Sequence, residues 1–140
     1  MRNAKQWVTG LLLFLGLSAA VVGTWAQFFP RSFYNSFPGL GRHWISVDGP
    51  FNEHLIRDVG GLNLALLALT VAALLRTSAI LLRVTGAAWL VMEVPHLAYH
   101  GLHDVPDSST VDRVLSQASL ASIVIAAIAI VVLAEKLEHP

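Results

Sequence analysis

The sequence predicts an all-α, membrane-embedded four-helix bundle with a long aromatic-rich loop between its first and second helices. Three observations carry that expectation. Of 140 residues, 55% are apolar and only 13% charged, against roughly 25% charged in soluble domains. The charge deficit is concentrated: no charged residue lies from Gln6 to Pro30, from Val59 to Leu75 or from Val114 to Ala134, and Glu93 is the sole one between Arg83 and His103. A bilayer-spanning helix needs about 20 mostly apolar residues, and these four stretches approach or exceed that length. One transmembrane domain over 1–140 is expected, its helices near 7–28, 53–75, 79–102 and 111–137.

The first helix carries Trp7 and Trp25, about 27 Å apart along a helix, which suits one tryptophan at each interface. Arg2 and Lys5 before the apolar run, with Thr24-Trp25-Ala26 as a cleavage site, would also fit a signal peptide. The run is longer than an ordinary h-region, which favours a spanning helix. The segment 29–52 follows, with prolines and glycines at Pro30, Pro38, Gly39, Gly41, Gly49 and Pro50. It cannot be one continuous helix. Its Phe29, Phe33, Tyr34, Phe37, Trp44 and Phe51 fit a loop in the headgroup layer or a cap over the bundle, with a short turn of helix at 32–36. The second helix is expected to start from an Asp48 or Gly49 N-cap with Pro50 in the first turn. Gly60 and Gly61 inside it suit close helix–helix approach. Short connections make the second, third and fourth helices antiparallel neighbours.

Placing both termini in the cytoplasm puts Arg2, Lys5, Arg76, Arg83 and Lys136 inside and Arg31, Arg42, Arg57 and Arg113 outside. The basic-residue rule favours this orientation by a single charge. The expected location is the cell (inner) membrane, multi-pass. The absence of cysteine excludes disulfides and thiolate chemistry. A formal net charge of zero, with no basic cluster, argues against a nucleic-acid partner. No Gly-x-Ser-x-Gly turn supports nucleophilic serine chemistry, and no internal repeat supports a transporter.

The chemistry concentrates on the third helix. Glu93, His96, His100 and His103 are spaced three, four and three, the helical neighbour spacing. Counted from Arg83, Glu93 lies about 15 Å along the helix, near mid-bilayer, and His103 about 30 Å. A carboxylate at that depth marks a functional site by default. Pro95 removes a backbone donor from the carbonyl of Val91 at the same level. Trp89 shares the Glu93 face one turn deeper, and Tyr99 lies close to it. At the start of the second helix, Glu53 with Arg57 and His54 with Asp58 form i,i+4 pairs. The second pair resembles an imidazole oriented by a carboxylate, as beside a metal ligand.

Three interpretations follow. A small hydrophobic ligand or lipid could be held by Glu93, His96, His100, Arg57, Asp58, Trp89 and Tyr99. The same polar residues could instead fix the bundle for an accessory role, in a homo-oligomer or beside a membrane-complex partner. Alternatively, His54, His96, His100 and His103 could ligate a transition metal or haem, with redox function. Glu93→Ala or His100→Ala should then matter more than His139→Ala. Whether any turnover occurs is open at the level of sequence. In size, helix count and charged residues opening the second helix, the chain resembles the small four-helix DoxX family. The segments Phe33-Tyr34-Asn35-Ser36-Phe37-Pro38-Gly39, Gly49-Pro50-Phe51-Asn52-Glu53-His54 and Pro95-His96 also resemble uncharacterised actinobacterial membrane proteins. Both resemblances imply fold and location and carry no reaction.

Overall fold

The computed structural model describes residues 2–103, 105 and 108–136. His139 and the expected end of the last helix at Leu137 lie outside them. Among the described residues, five helices and one small hairpin follow in order: α1 Arg2–Phe28, α2 Pro30–Ser36, β1 Pro38–Gly39, β2 Arg42–His43, α3 Glu53–Leu75, α4 Ala79–Leu102 and α5 Thr110–Glu135. α1, α3, α4 and α5 are long and apolar enough to cross a membrane.

Local chemistry sets the ends. α1 begins ahead of Trp7 because the polar residues 2–6 are compatible with helix; the apolar run marks hydropathy, not the helix start. It stops at Phe28 because Phe29 precedes a proline, which disfavours the helical basin, and Phe29 takes φ −131°, ψ 54°. Pro30 then opens α2 at a position where its missing N–H costs nothing. The segment 29–52 is therefore more ordered than a loop. After α2, β1 and β2 pair antiparallel with Pro38 opposite His43 and Gly39 opposite Arg42. The two-residue tip has φ of 56° at Leu40 and 75° at Gly41, the left-handed basin that such a turn requires. α3 does not start from Asp48 or Gly49. Its cap is Asn52, whose side chain accepts from Leu55 N at 3.2 Å, and Pro50 lies outside the helix. A side-chain oxygen two residues past the proline satisfies the first turn, so the helix begins there. Ser78 caps α4 and Ser109 caps α5 in the same way.

The four long helices pack as two antiparallel pairs, α1 on α3 and α4 on α5, joined by smaller α1–α5 and α3–α4 contacts. α1 buries Val8, Leu12, Leu15, Ala19, Gly23 and Ala26, and α3 answers with Ile56, Gly60, Asn63, Leu66, Thr70 and Ala73. Both sets repeat every three or four residues, the apolar stripe of a packed helix. Gly60 is where the backbones meet: a Cβ there would come 2.7 Å from the Cα of Gln27, whereas one on Gly61 would meet only the Gln27 side chain at 3.8 Å. Gly86 does the same for the other pair, since its Cβ would fall 3.0 Å from the Ala127 carbonyl oxygen. The pairs are locked together by Trp89, fully buried on α4, whose indole N–H donates to Thr70 Oγ1 of α3 at 2.9 Å. Burial then becomes one-sided. α4 buries nothing beyond Glu93 toward the hairpin end, and α5 buries Ala126, Ala127, Ile130 and Ala134, all toward the opposite end. α1 and α3 stay packed along their whole length.

Candidate functional site

The side chain that departs most from the apolar core is Glu93. It lies one turn beyond Trp89 toward the hairpin end, about 6 Å along α4, and only 4% of the residue is exposed. Its Oε2 is buried and, among the described residues, has no hydrogen-bond partner. His96 Nδ1 is 3.3 Å away, close enough for an ion pair but without the alignment of a hydrogen bond. A native interior pairs the large majority of its buried polar atoms, so a bare carboxylate oxygen stands out.

The ladder above Glu93 divides. The His96 side chain is 45% exposed, and its ring centroid lies 5.1 Å from that of His100. His100 is half-buried; its carbonyl accepts from Gln117 Nε2 of α5 at 3.1 Å, and Asp48 of the connecting segment lies within electrostatic reach of its ring. His103 turns away, because it caps α4. Its ring stacks on Tyr99 at 4.3 Å, and its Nδ1–H donates to the Tyr99 carbonyl at 3.1 Å. Glu93, His96 and His100 thus form a continuous series, with Tyr99 set edge-on to His100, while His103 belongs to the helix end. Trp89 forms the floor. Its single donor is spent on Thr70, whose hydroxyl in turn donates to the Leu66 carbonyl at 2.7 Å.

The α3 cluster stands apart. Arg57 donates to Glu53 Oε1 at 2.9 Å and to the carbonyl of Gln27 on α1. It therefore braces the α1–α3 contact beside Gly60. His54 Nε2 and Asp58 Oδ2 approach to 3.4 Å with side chains 83% and 55% exposed. No contact among the described residues joins this pair to the ladder. Among the described residues, no group of three or more histidine or acidic side chains is placed to hold a metal ion. His54 is not gathered with His96, His100 and His103 because α3 turns its first polar turn toward α1 and solvent.

Two features escaped the sequence. Asn63 is buried on α3 and donates to the Val59 carbonyl at 3.0 Å. Counting seven residues from the Thr70–Trp89 contact on each antiparallel helix sets Asn63 level with His96. Its fit to the helical stripe was readable, but its polarity resembles ordinary helix glue. Asp112 is the second. It pairs with Arg42, accepts from Trp44 Nε1 at 2.8 Å and takes the Ser109 hydroxyl at 2.6 Å. The Ser109-x-x-Asp112 spacing signals a capped helix start. Nothing in it announces partners some seventy residues earlier. Comparison with protein-family models, with curated proteins and with solved structures finds no match.

Proposed function

We propose that this is a multi-pass protein of the cell (inner) membrane, with α1, α3, α4 and α5 spanning the bilayer, both termini cytoplasmic and the hairpin end outward. Its role is to hold a small amphiphilic molecule by its polar head, in the half of the bundle nearer the hairpin. The bare Glu93 Oε2 carries this proposal. The bilayer core offers no water to satisfy an exposed acceptor, and a buried unpaired acceptor costs about 1–3 kcal/mol. A hydroxyl or amine from a ligand would supply the missing donor. His96 and His100 stand beside it as further hydrogen-bonding groups, and Trp89 closes the site from below. A molecule arriving from the outer leaflet would enter past the exposed His96, where α4 and α5 bury no side chain against the other pair. An apolar lining with a few convergent polar groups is the usual form of such a site. The accessory role and a partner in the membrane are compatible with this proposal, and no turnover is assigned.

The test is to extract the full chain in mild detergent and identify what it retains by native mass spectrometry, comparing wild type with Glu93→Gln and Glu93→Met. A defined molecule retained by wild type and lost by both variants supports the proposal. Equal retention in all three removes it. An absorption spectrum and metal analysis of the same preparation decide the alternative: a Soret band or stoichiometric metal would replace the amphiphile with a redox centre.

A further inference from the structure

The segment between α1 and α3 encloses a second, separate site. A half-open cavity of about 340 Å³ lies under the hairpin, walled by Leu40, Arg42, His43, Trp44, Val47 and Ser108. We propose that this cavity binds a phosphate ester, in the first instance the headgroup of an anionic lipid of the outer leaflet. The inference uses the transmembrane placement of the helices but not the Glu93 site.

Among the described residues, donors dominate the polar wall. A guanidinium carries five N–H groups in a fixed fork, and Arg42 commits one nitrogen, Nη1, to Asp112 Oδ1. Arginine suits phosphate because the fork matches its oxygens. His43 is oriented as well. Its Nδ1 faces the carbonyl of Asn35, and a carbonyl only accepts, so Nδ1 carries the proton. The outer nitrogen, Nε2, remains, and a bound anion would favour the protonated ring, in which Nε2 also donates. Ser108 also lines the cavity. Asp112 also borders the cavity, but Arg42, Trp44 Nε1 and the Ser109 hydroxyl already supply donors to its two oxygens. The pair fixes the arginine fork and leaves the other N–H groups of the guanidinium as donors to a ligand.

Position argues for a lipid as the source. The hairpin sits at the ends of the long helices, beside a series of rings linking Trp25, Phe33, Phe37 and Trp44 at 4.7–5.9 Å centroid spacing, edge-to-face at both ends and tilted between Phe33 and Phe37. Aromatic groups of this kind belong at headgroup level. Leu40 is fully exposed at the hairpin tip, and Val47 adds a second apolar wall. An apolar rim around a phosphate-binding wall fits a molecule with a charged head and an acyl chain.

Native mass spectrometry of the full chain in detergent tests this, titrating phosphatidylglycerol and phosphatidylcholine of matched acyl chains, with glycerol 3-phosphate as the soluble arm. Wild type should retain phosphatidylglycerol in about tenfold preference, and Arg42→Gln and His43→Gln should each lower that retention about tenfold, the loss of one charge-assisted hydrogen bond. His43→Gln leaves the Arg42–Asp112 pair intact, so it reports even where Arg42→Gln fails to fold. Glycerol 3-phosphate binding with the same sensitivity to His43→Gln would keep the phosphate site and move its source to a soluble ester. Phosphatidylcholine retained as well as phosphatidylglycerol, or unchanged retention in His43→Gln, would overturn the proposal.

Discussion

Replacing Glu93 with methionine separates a ligand site from a structural one, because the two roles predict opposite signs for stability. Methionine is close to glutamate in length and adapts to the space available. Among the described residues no hydrogen-bond donor reaches the buried Oε2, a condition costing about 1–3 kcal/mol. Removing the carboxylate relieves that cost and gives up only the poorly aligned 3.3 Å approach of His96. Glu93→Met should therefore stabilise ligand-free protein by about 1–2 kcal/mol, a factor of roughly 5–30 in the folded-to-unfolded ratio. The assay is reversible unfolding in mixed micelles titrated with a denaturing detergent, on delipidated protein. Adding back the retained molecule should raise wild-type stability, by about 2.7 kcal/mol at a hundred times its Kd, and should leave Glu93→Met unmoved. If Glu93 instead holds the helices together, the variant loses an interhelical bond and unfolds earlier. A destabilised Glu93→Met in delipidated protein would refute the argument from the bare oxygen.

Gly60→Ala should destabilise by about 1–3 kcal/mol through overpacking, because its Cβ has no room beside the Gln27 backbone; a disulfide trap between α1 and α3, clean in a chain without cysteine, would report the separation. Thr70→Val leaves the buried Trp89 N–H unpaired and should cost about 1–3 kcal/mol. In a Trp89→Phe background the same change should cost clearly less, which a double-mutant cycle by detergent unfolding measures. Asp112→Asn removes the charge that holds Arg42 and should speed amide hydrogen exchange across 38–48 while leaving 8–26 unchanged. His54→Ala should shift the unfolding midpoint by no more than about 0.5 kcal/mol, since an exposed i,i+4 pair contributes little; a larger loss would mean that His54 has a partner elsewhere.

The long helices were legible because hydropathy and helical periodicity are local properties. An apolar stretch between charged ends reports a helix wherever its partner lies, and a caps-and-proline grammar places its ends to within a few residues. The error at α3 shows the limit: Asp48, Gly49 and Asn52 are all competent caps, and only geometry selects Asn52, whose side chain reaches Leu55 N. The ordered hairpin was hidden for a related reason. Pro38-Gly39 and Gly41 announce turns, but the pairing of Gly39 with Arg42 depends on the anchorage of Arg42 and Trp44 to α5.

The site divides along the same line. Glu93, His96 and His100 sit on one helix at neighbour spacing, so their association follows from the rise and twist of α4 alone. Gathering them with His54, Arg57 and Asp58 required the start of α3 to face α4, and hydropathy cannot rank helix pairs. Gly60 decides that question. A glycine that admits the Gln27 backbone commits α3 to α1, and Arg57, three residues earlier, then spends its guanidinium on the Gln27 carbonyl and Glu53. The helix pairing that builds the α1–α3 core thus leaves the start of α3 out of the ladder, and Glu93 lacks a strong cation from that side. Among the described residues His96, at 3.3 Å and poorly aligned, is then the partner left to Glu93 Oε2, and it is this weak satisfaction that the proposed ligand would complete.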